Sequence, residues 1–145
     1  MQNGSGPVAA QLSARASTSR DIQCIAPDDA LLRLRHALPM GAHLGTSSWS
    51  FPGWAGLVYA EAHSEQLLAR KGLAAYAAHP LMHTVSVDRT FYAPIAESDY
   101  RAYAAQARST NASFRFVVKA PMLFTGPRLR SDEGRWADNP AFLNA

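Results

Sequence analysis

Two short β-branched runs that end abruptly in charged residues constrain the fold of this chain more than any other feature. Val85–Val87 is followed directly by Asp88 and Arg89, and Phe116–Val118 is followed by Lys119. The stretch between the runs is long enough for a helix, and a strand–helix–strand connection implies parallel strands. Because α/β folds place binding and catalytic groups at the carboxyl ends of such strands, Asp88, Arg89 and Lys119 are predicted to contact a ligand. The competing interpretation is that they are solvated strand-end charges.

The same reasoning along the whole chain predicts strands that alternate with helices. The predicted parallel strands lie near Leu44–Ser47, Val85–Asp88 and Arg115–Lys119, in chain order. The predicted helices lie on one side of the sheet, near Ser64–Ala78 and Glu97–Arg108, because apolar residues recur there at helical spacing. After Pro121 the pattern decays into polar sequence that contains glycine and proline.

Strand alternation predicts one apolar and one polar face of the sheet, because successive side chains of a strand point to opposite sides. In the second strand Val85 and Val87 share one face, and Ser86 and Asp88 share the other. In the third strand Lys119 shares a face with Arg115 and Val117, opposite Phe114, Phe116 and Val118. The polar face is either the interior of a closed barrel near its top or one side of a half-exposed sheet, and alternation alone does not separate the two.

Composition excludes several classes of protein. The chain has 145 residues, of which 48% are hydrophobic and 17% are charged, as in a globular domain. Its net charge of +3 suits an anionic ligand but does not imply nucleic acid without a clustered basic patch. The single cysteine, Cys24, excludes an internal disulfide and a two-thiolate zinc site, and it favours a cytoplasmic setting. No apolar run approaches the ~20 residues of a membrane helix, so no membrane partner is expected.

The first forty residues form a predicted extension. Met1–Arg20 is rich in Ala, Ser and Gly and contains no acidic residue, which fits a disordered tail and also an organellar transit peptide. Downstream, Asp28 or Asp29 predicts the start of a short helix that Pro39 ends. Residues 1–40 are therefore expected to be poorly ordered or helical.

Three ordered motifs resemble domain-of-unknown-function family 72. They are Gly45–Phe51 with Gly53, Trp54, Gly56 and Tyr59; Val85–Tyr92; and Phe114–Phe116 through Lys119–Pro121. The resemblance covers roughly Ala42 to Pro127. It implies a (β/α)8 barrel of the TIM type, in a family whose activity is largely unassigned. The family name supplies a fold, and a fold does not specify a reaction.

Two departures from the family pattern affect what the resemblance implies. Many members carry a Glu where this chain has Ser86 and an Asn where it has Asp88, so the role of a catalytic Glu would be unfilled unless Asp88 takes it. A (β/α)8 barrel needs about 250 residues, whereas residues 41–145 supply three predicted strands. We therefore expect residues 41–145 to be the amino-terminal part of a truncated barrel. Such a chain would leave a strand edge and apolar surface uncovered, and self-association is expected.

These observations define a candidate site at the carboxyl ends of the strands. The predicted catalytic residues are Asp88, as a general base, and Lys119, as an anion contact or, if it is buried, as a base or a Schiff-base amine. The predicted ligand-binding residues are Ser47, Trp49, Arg89, Phe91 and Tyr92. Each of these roles has a structural alternative. Asp88 and Lys119 could simply pair with each other, Arg89 could be solvated, and the aromatic residues could pack the loops.

Two classes of function stay open at this stage, together with a truncated chain that has no function. The first class is a protein that binds or acts on a small anionic or sugar-like ligand. The second binds or processes a nucleic-acid phosphodiester backbone through Arg89, Arg115 and Lys119. No metal site is predicted, because Pro80 breaks any helix that would align His79 and His83. The sequence contains no glycine-rich phosphate loop, nucleophile elbow or cysteine redox motif, and the cofactor is left unassigned.

Overall fold

A sheet of three parallel strands forms the centre of the fold. The computed structural model describes residues 21–142 of the protein. The strands β1 (Leu44–Thr46), β2 (Met82–Val87) and β3 (Arg115–Val118) lie side by side in the order β1-β2-β3 and run parallel. The predicted α/β architecture with parallel strands in chain order is therefore confirmed, and it is consistent with part of a TIM-like barrel.

Helices precede and connect the strands. Helix α1 (Asp29–Ala37) precedes β1, helices α2 (Glu65–Lys71) and α3 (Leu73–Ala78) link β1 to β2, and α4 (Glu97–Arg108) links β2 to β3. The stretch predicted as one helix near Ser64–Ala78 is two helices, because Gly72 ends α2 and begins α3. A side chain at Gly72 would lie 2.7 Å from the carbonyl oxygen of Leu68. Within residues 21–142, no helix combines the length and apolar character needed to cross a membrane.

Strand β1 approaches β2 unusually closely at a glycine. Gly45 pairs with Thr84, and a Cβ atom on Gly45 would lie only 2.0 Å from the Thr84 carbonyl oxygen. The register shifts between Leu44 and Gly45, so His83 of β2 is left without a partner residue on β1. Gly45 is therefore needed for the approach of the two backbones rather than for contact with a ligand.

The hydrophobic core lies between the helices and the face of β2 that carries Val85 and Val87. Val85 is fully buried, as are Leu68 of α2 and Leu73 and Tyr76 of α3. The Tyr76 hydroxyl accepts a hydrogen bond from the backbone N–H of Thr46 at 3.0 Å, so its polar end is satisfied inside the core. The predicted apolar face of the second strand is confirmed.

The opposite face of the sheet is open. The β2–β3 register pairs Thr84 with Arg115 and Ser86 with Val117, and these four residues share that face. The side chain of Val117 is 55% exposed there. Val118 points to the helical side, yet it is 49% exposed because no described helix covers the end of β3. In the described part of the chain the polar face is thus one side of an uncovered sheet.

The segment after Pro121 is more ordered than its sequence pattern indicates. A short helix α5 (Met122–Thr125) leads into an antiparallel hairpin of β4 (Arg128–Arg130) and β5 (Trp136–Asp138). Gly134 adopts a φ of +79° in the hairpin loop, a backbone conformation that favours glycine. The buried Asn139 amide donates to the carbonyl oxygens of Leu123 and Gly126, at 2.6 and 2.7 Å, and so ties the hairpin to α5.

The described part of the amino-terminal extension packs on the domain. Helix α1 confirms the short helix predicted after Asp28, whose side chain accepts a hydrogen bond from the N–H of Leu31. Upstream of it, Ile25 N–H donates to the Val58 carbonyl at 3.0 Å, and Ile22 is buried in the core. Residues 21–25 therefore extend the domain instead of standing apart from it. The tail and transit-peptide interpretations of residues 1–20 concern a segment outside the described residues.

Candidate functional site

Asp88 and Lys119 meet at the carboxyl ends of β2 and β3. They each follow the last paired residues of their strands, Val87 and Val118. The Lys119 ammonium nitrogen lies 3.0 Å from Asp88 Oδ2, and the two side chains are 49% and 32% exposed, respectively. The structure therefore brings together the two residues that strand parity predicted to be neighbours. Their catalytic role remains a prediction.

A buried threonine fixes the ends of the two strands relative to each other. A 3₁₀ turn over Asp88–Phe91 follows β2 directly and contains Thr90, which is 1% exposed. The Thr90 hydroxyl lies 2.7 Å from the carbonyl oxygen of Val87 and 2.7 Å from that of Lys119. Thr90 thereby holds the backbone of Lys119 against the turn that carries Asp88. Sequence analysis assigned Thr90 no role, although a hydroxyl between two charged or aromatic strand-end residues is a recognisable signal.

Ser86 holds Asp88 in its charged form. The Ser86 hydroxyl donates a hydrogen bond to Oδ1 of Asp88, and Lys119 occupies the other carboxylate oxygen. The hydrogen bond from Ser86 is the largest cause that holds the pKa of Asp88 below its ordinary value, and the contact with Lys119 is the second. The contribution of this carboxylate to folding stability is thus present above the ordinary pKa of 3.8 and is lost as the pH falls through the lowered pKa. At neutral pH the site contains a carboxylate that can accept hydrogen bonds.

Replacing Ser86 with alanine is expected to raise the pKa of Asp88 toward its ordinary value, because the largest cause of the lowering is removed. The measurement is an NMR titration of the Asp88 carboxyl carbon in the two proteins. Ser98→Ala, at an exposed serine of α4, is the matched control and should leave the titration unchanged. An Asp88 titration identical in the Ser86→Ala variant and the unaltered chain would contradict the assigned hydrogen bond.

Arg89 turns away from the Asp88–Lys119 pair. Its guanidinium forms an ion pair with Asp99 of α4, and its central carbon lies 5.7 Å from the centre of the Tyr103 ring. Both members of the Arg89–Asp99 pair are about half exposed. The structure therefore directs Asp88 toward β3 and Arg89 toward α4, as expected for adjacent side chains.

The predicted aromatic wall is divided between the core and the surface. Trp49 is 7% exposed, its indole N–H donates to the Ala69 carbonyl at 3.3 Å, and its ring packs edge-on against Tyr103. Its packing between α2 and α4 is the structural role that the sequence left open. Tyr92, in contrast, is 79% exposed and packs edge-on against Phe91. Phe91 is the last residue of the turn that begins at Asp88, and Tyr92 follows it directly.

An open cleft of about 540 Å³ lies between α2 and α4, next to the carboxyl ends of β1 and β2. Four of the predicted site residues line it: Ser47, Trp49, Asp88 and Arg89. Lys119, Phe91 and Tyr92 are not part of its lining. The walls of the cleft also contain helix residues that were not predicted from the sequence, among them Arg70, Tyr103 and Gln106. Nothing in the local sequence distinguishes these residues from other helix-surface residues until the two helices are placed side by side.

The comparison with known proteins agrees with this architecture. Residues 43–145 match the family described as Protein of unknown function DUF72. The chain belongs to this family. The DUF72 match begins just before β1 and includes every strand of the parallel sheet. Neither the curated proteins nor the solved structures contain a significant match.

Ser86 stands where the resemblance led us to expect a Glu, and its hydroxyl donates to Asp88 two residues further on. That Asp88 takes the role of such a Glu stays a prediction.

Proposed function

We propose that this DUF72 protein binds a small hydroxylated or anionic ligand at the carboxyl ends of β2 and β3, with Asp88 and Lys119 in contact with it. The observation that carries the proposal is the half-exposed ion pair formed by these two residues. Asp88 supplies a carboxylate that accepts hydrogen bonds from hydroxyl groups, and Lys119 supplies an ammonium that attracts an anionic group. The two side chains together match a ligand that carries both a hydroxyl group and an anionic group.

Stability alone is a weak explanation for this pair. Exposed ion pairs contribute only about 0–1 kcal/mol to folding. Yet a buried threonine contacts the backbone carbonyl of Lys119, and a serine hydroxyl holds the side chain of Asp88, which is more support than a solvated pair requires. Rigid support of exposed charged groups is typical of a binding site.

Within such a site Asp88 is the proposed general base because of its position. Its lowered pKa keeps it charged at neutral pH but makes it a weaker base than an ordinary carboxylate, so its main contribution is to accept a hydrogen bond from a ligand hydroxyl. Lys119 is better suited to contact an anion than to form a covalent intermediate. Nucleophilic lysines are desolvated, and about half of the Lys119 side chain is exposed.

Binding of a nucleic-acid backbone remains the alternative hypothesis. Two of the three cations assigned to it face carboxylates, Arg89 with Asp99 and Lys119 with Asp88, which lowers their attraction for a polyanion. Salt dependence separates the two functions. Affinity for a nucleic acid falls steeply with salt because counterions are released, whereas affinity for a small ligand falls less. The third interpretation is a chain without function. It would be favoured if the unaltered chain bound none of the probes described next.

Replacing Lys119 with methionine is expected to weaken binding of glucose 6-phosphate by about ten- to a hundredfold, because a hydrogen bond to a charged group is lost. The melting temperature should stay within a few degrees of the unaltered chain, because the ion pair is half exposed. Binding is measured by NMR titration of the labelled chain with glucose 6-phosphate, glucose and inorganic phosphate.

Lys71→Met is the matched control, because Lys71 is an exposed lysine at the end of α2 and forms no ion pair in the described residues. It should bind all three probes as the unaltered chain does. A Lys119→Met variant with unchanged affinity would contradict the proposed function. A large loss of stability in that variant would instead support a purely structural role for Lys119.

A further inference from the structure

The cleft between α2 and α4 is lined by serine hydroxyl groups. Ser47, Ser48 and Ser50 line it in the loop that follows β1. The hydroxyls of Ser48 and Ser50 lie 3.0 Å apart, and the Ser48 hydroxyl also accepts the Ser50 backbone N–H at 3.1 Å. The buried Tyr59 hydroxyl donates to the carbonyl oxygen of Trp49 in the same loop. This hydrogen bond ties the serine loop to the core.

Arg70 is the cation of the cleft lining that forms no ion pair with a described carboxylate. It stands in the last turn of α2 and has no carboxylate partner among residues 21–142. The other arginine of the lining, Arg89, is paired with Asp99. A guanidinium group has a planar set of donors that matches the oxygens of a phosphate. Arg70 thus offers an anion contact on the wall opposite α4.

The carboxylate of Asp88 also lines the cleft, together with Arg70 and the serines. A carboxylate accepts hydrogen bonds from ligand hydroxyls. Gln106 of α4 is part of the same wall, but its side-chain oxygen, which is unpaired among the described residues, is enclosed by the protein, so a ligand in the cleft does not reach it.

We propose that the cleft binds a phosphorylated sugar or polyol, whose phosphate is held by Arg70 and whose hydroxyls are held by Asp88 and the serine loop. This inference rests on the proposed function, because Asp88 lines the cleft and also forms the pair with Lys119. The same ligand can therefore extend from the cleft to the strand ends. The proposal adds the class of ligand and places its phosphate at Arg70, so that Lys119 contacts a hydroxyl of the same ligand.

Size and charge favour one phosphate over a polyanion. The volume of about 540 Å³ is in the range of small-ligand sites, about 300–1,000 Å³. Two carboxylates, Asp88 and Asp99, line the same cleft and would repel a chain of phosphates. A nucleic-acid surface would instead show a stripe of clustered cations. A ligand with a single phosphate next to Arg70 and hydroxyls next to Asp88 is complementary to both the cation and the carboxylate of the cleft.

The test is the affinity of the full chain and of Arg70→Met for glucose 6-phosphate, glucose and inorganic phosphate, measured by the same NMR titration. The unaltered chain should bind glucose 6-phosphate more tightly than either of the other probes. The Arg70→Met substitution should reduce that affinity at least about tenfold and leave the weaker affinity for glucose unchanged. Arg108→Met, in the last turn of α4 and outside the cleft lining, is the control and should bind as the unaltered chain does.

The outcomes separate this inference from the proposed function. If Lys119→Met loses affinity for the probes and Arg70→Met does not, the strand-end site stands and the phosphate contact is overturned. If glucose 6-phosphate binds no more tightly than inorganic phosphate, the sugar part of the inference is overturned. If none of the three probes binds at millimolar concentration, the proposed function fails together with the inference.

Discussion

Replacing Gly45 with alanine is expected to destabilise the protein by about 3 kcal/mol, which corresponds to a loss on the order of 10 °C in melting temperature. The added Cβ would lie 2.0 Å from the carbonyl oxygen of Thr84 and 2.6 Å from its carbonyl carbon. Backbone atoms cannot rotate away as a side chain can, so β1 would have to move off β2. The measurement is thermal unfolding followed by circular dichroism.

Gly53→Ala is the matched control for this experiment. A Cβ at Gly53 would also meet close neighbours, but these are ring atoms of Phe51, and the nearest lies at 2.5 Å. The Phe51 side chain is 56% exposed and can swing into solvent, so the loss of stability should be well below that of Gly45→Ala. Equal melting temperatures for Gly45→Ala and the unaltered chain would show that the two backbones do not approach as described.

The chain is expected to self-associate in solution through the exposed apolar surface around β3. Val117 and Val118, on opposite faces of this strand, are 55% and 49% exposed, and Leu123 and Phe124 of α5 are 46% and 44% exposed. In the described residues no strand pairs with the second edge of β3. An unpaired edge flanked by apolar side chains is a template for pairing with another chain. Sedimentation or sizing over a range of concentrations should therefore show dimers or larger species.

The double variant Val117→Thr/Val118→Thr should reduce this association. Threonine keeps the β-branched shape, and burial of the two half-exposed valines contributes about 2 kcal/mol to a contact. The dissociation constant of the dimer should rise by at least about tenfold. Leu34→Gln, at an equally exposed apolar residue of α1, is the control and should associate as the unaltered chain does. A chain that stays monomeric at every concentration and binds no dye for apolar surface would contradict this prediction.

The sequence was sufficient for those parts of the fold that local patterns determine. The runs that became β2 and β3 are β-branched and end in charge, so their positions and their parallel pairing could be predicted. The break at Gly72 could not be predicted, because a glycine inside a helical pattern often continues the helix. The β4–β5 hairpin also escaped prediction, because its strands have three residues each and are flanked by arginines.

The candidate site was predictable where it depends on strand parity and not where it depends on packing. Asp88 and Lys119 follow adjacent strands, so alternation alone placed them together. Trp49 is the third residue after β1, and its ring packs between α2 and α4, which depends on where those helices lie. Arg70 and Gln106 belong to two different helices, and no sequence spacing relates them.

The position of the Thr90 hydroxyl has a consequence for how the site is made during folding. Its contact with Val87 spans three residues, whereas its contact with Lys119 spans 29 residues. Local contacts form early and distant contacts form late, because closing a longer loop loses more chain entropy. On a chain emerging from the ribosome, Thr90 can therefore cap its own turn while Lys119 has still to be synthesised. The same hydroxyl then meets the arriving third strand, so the two charges of the site come together only in the last stage of sheet assembly.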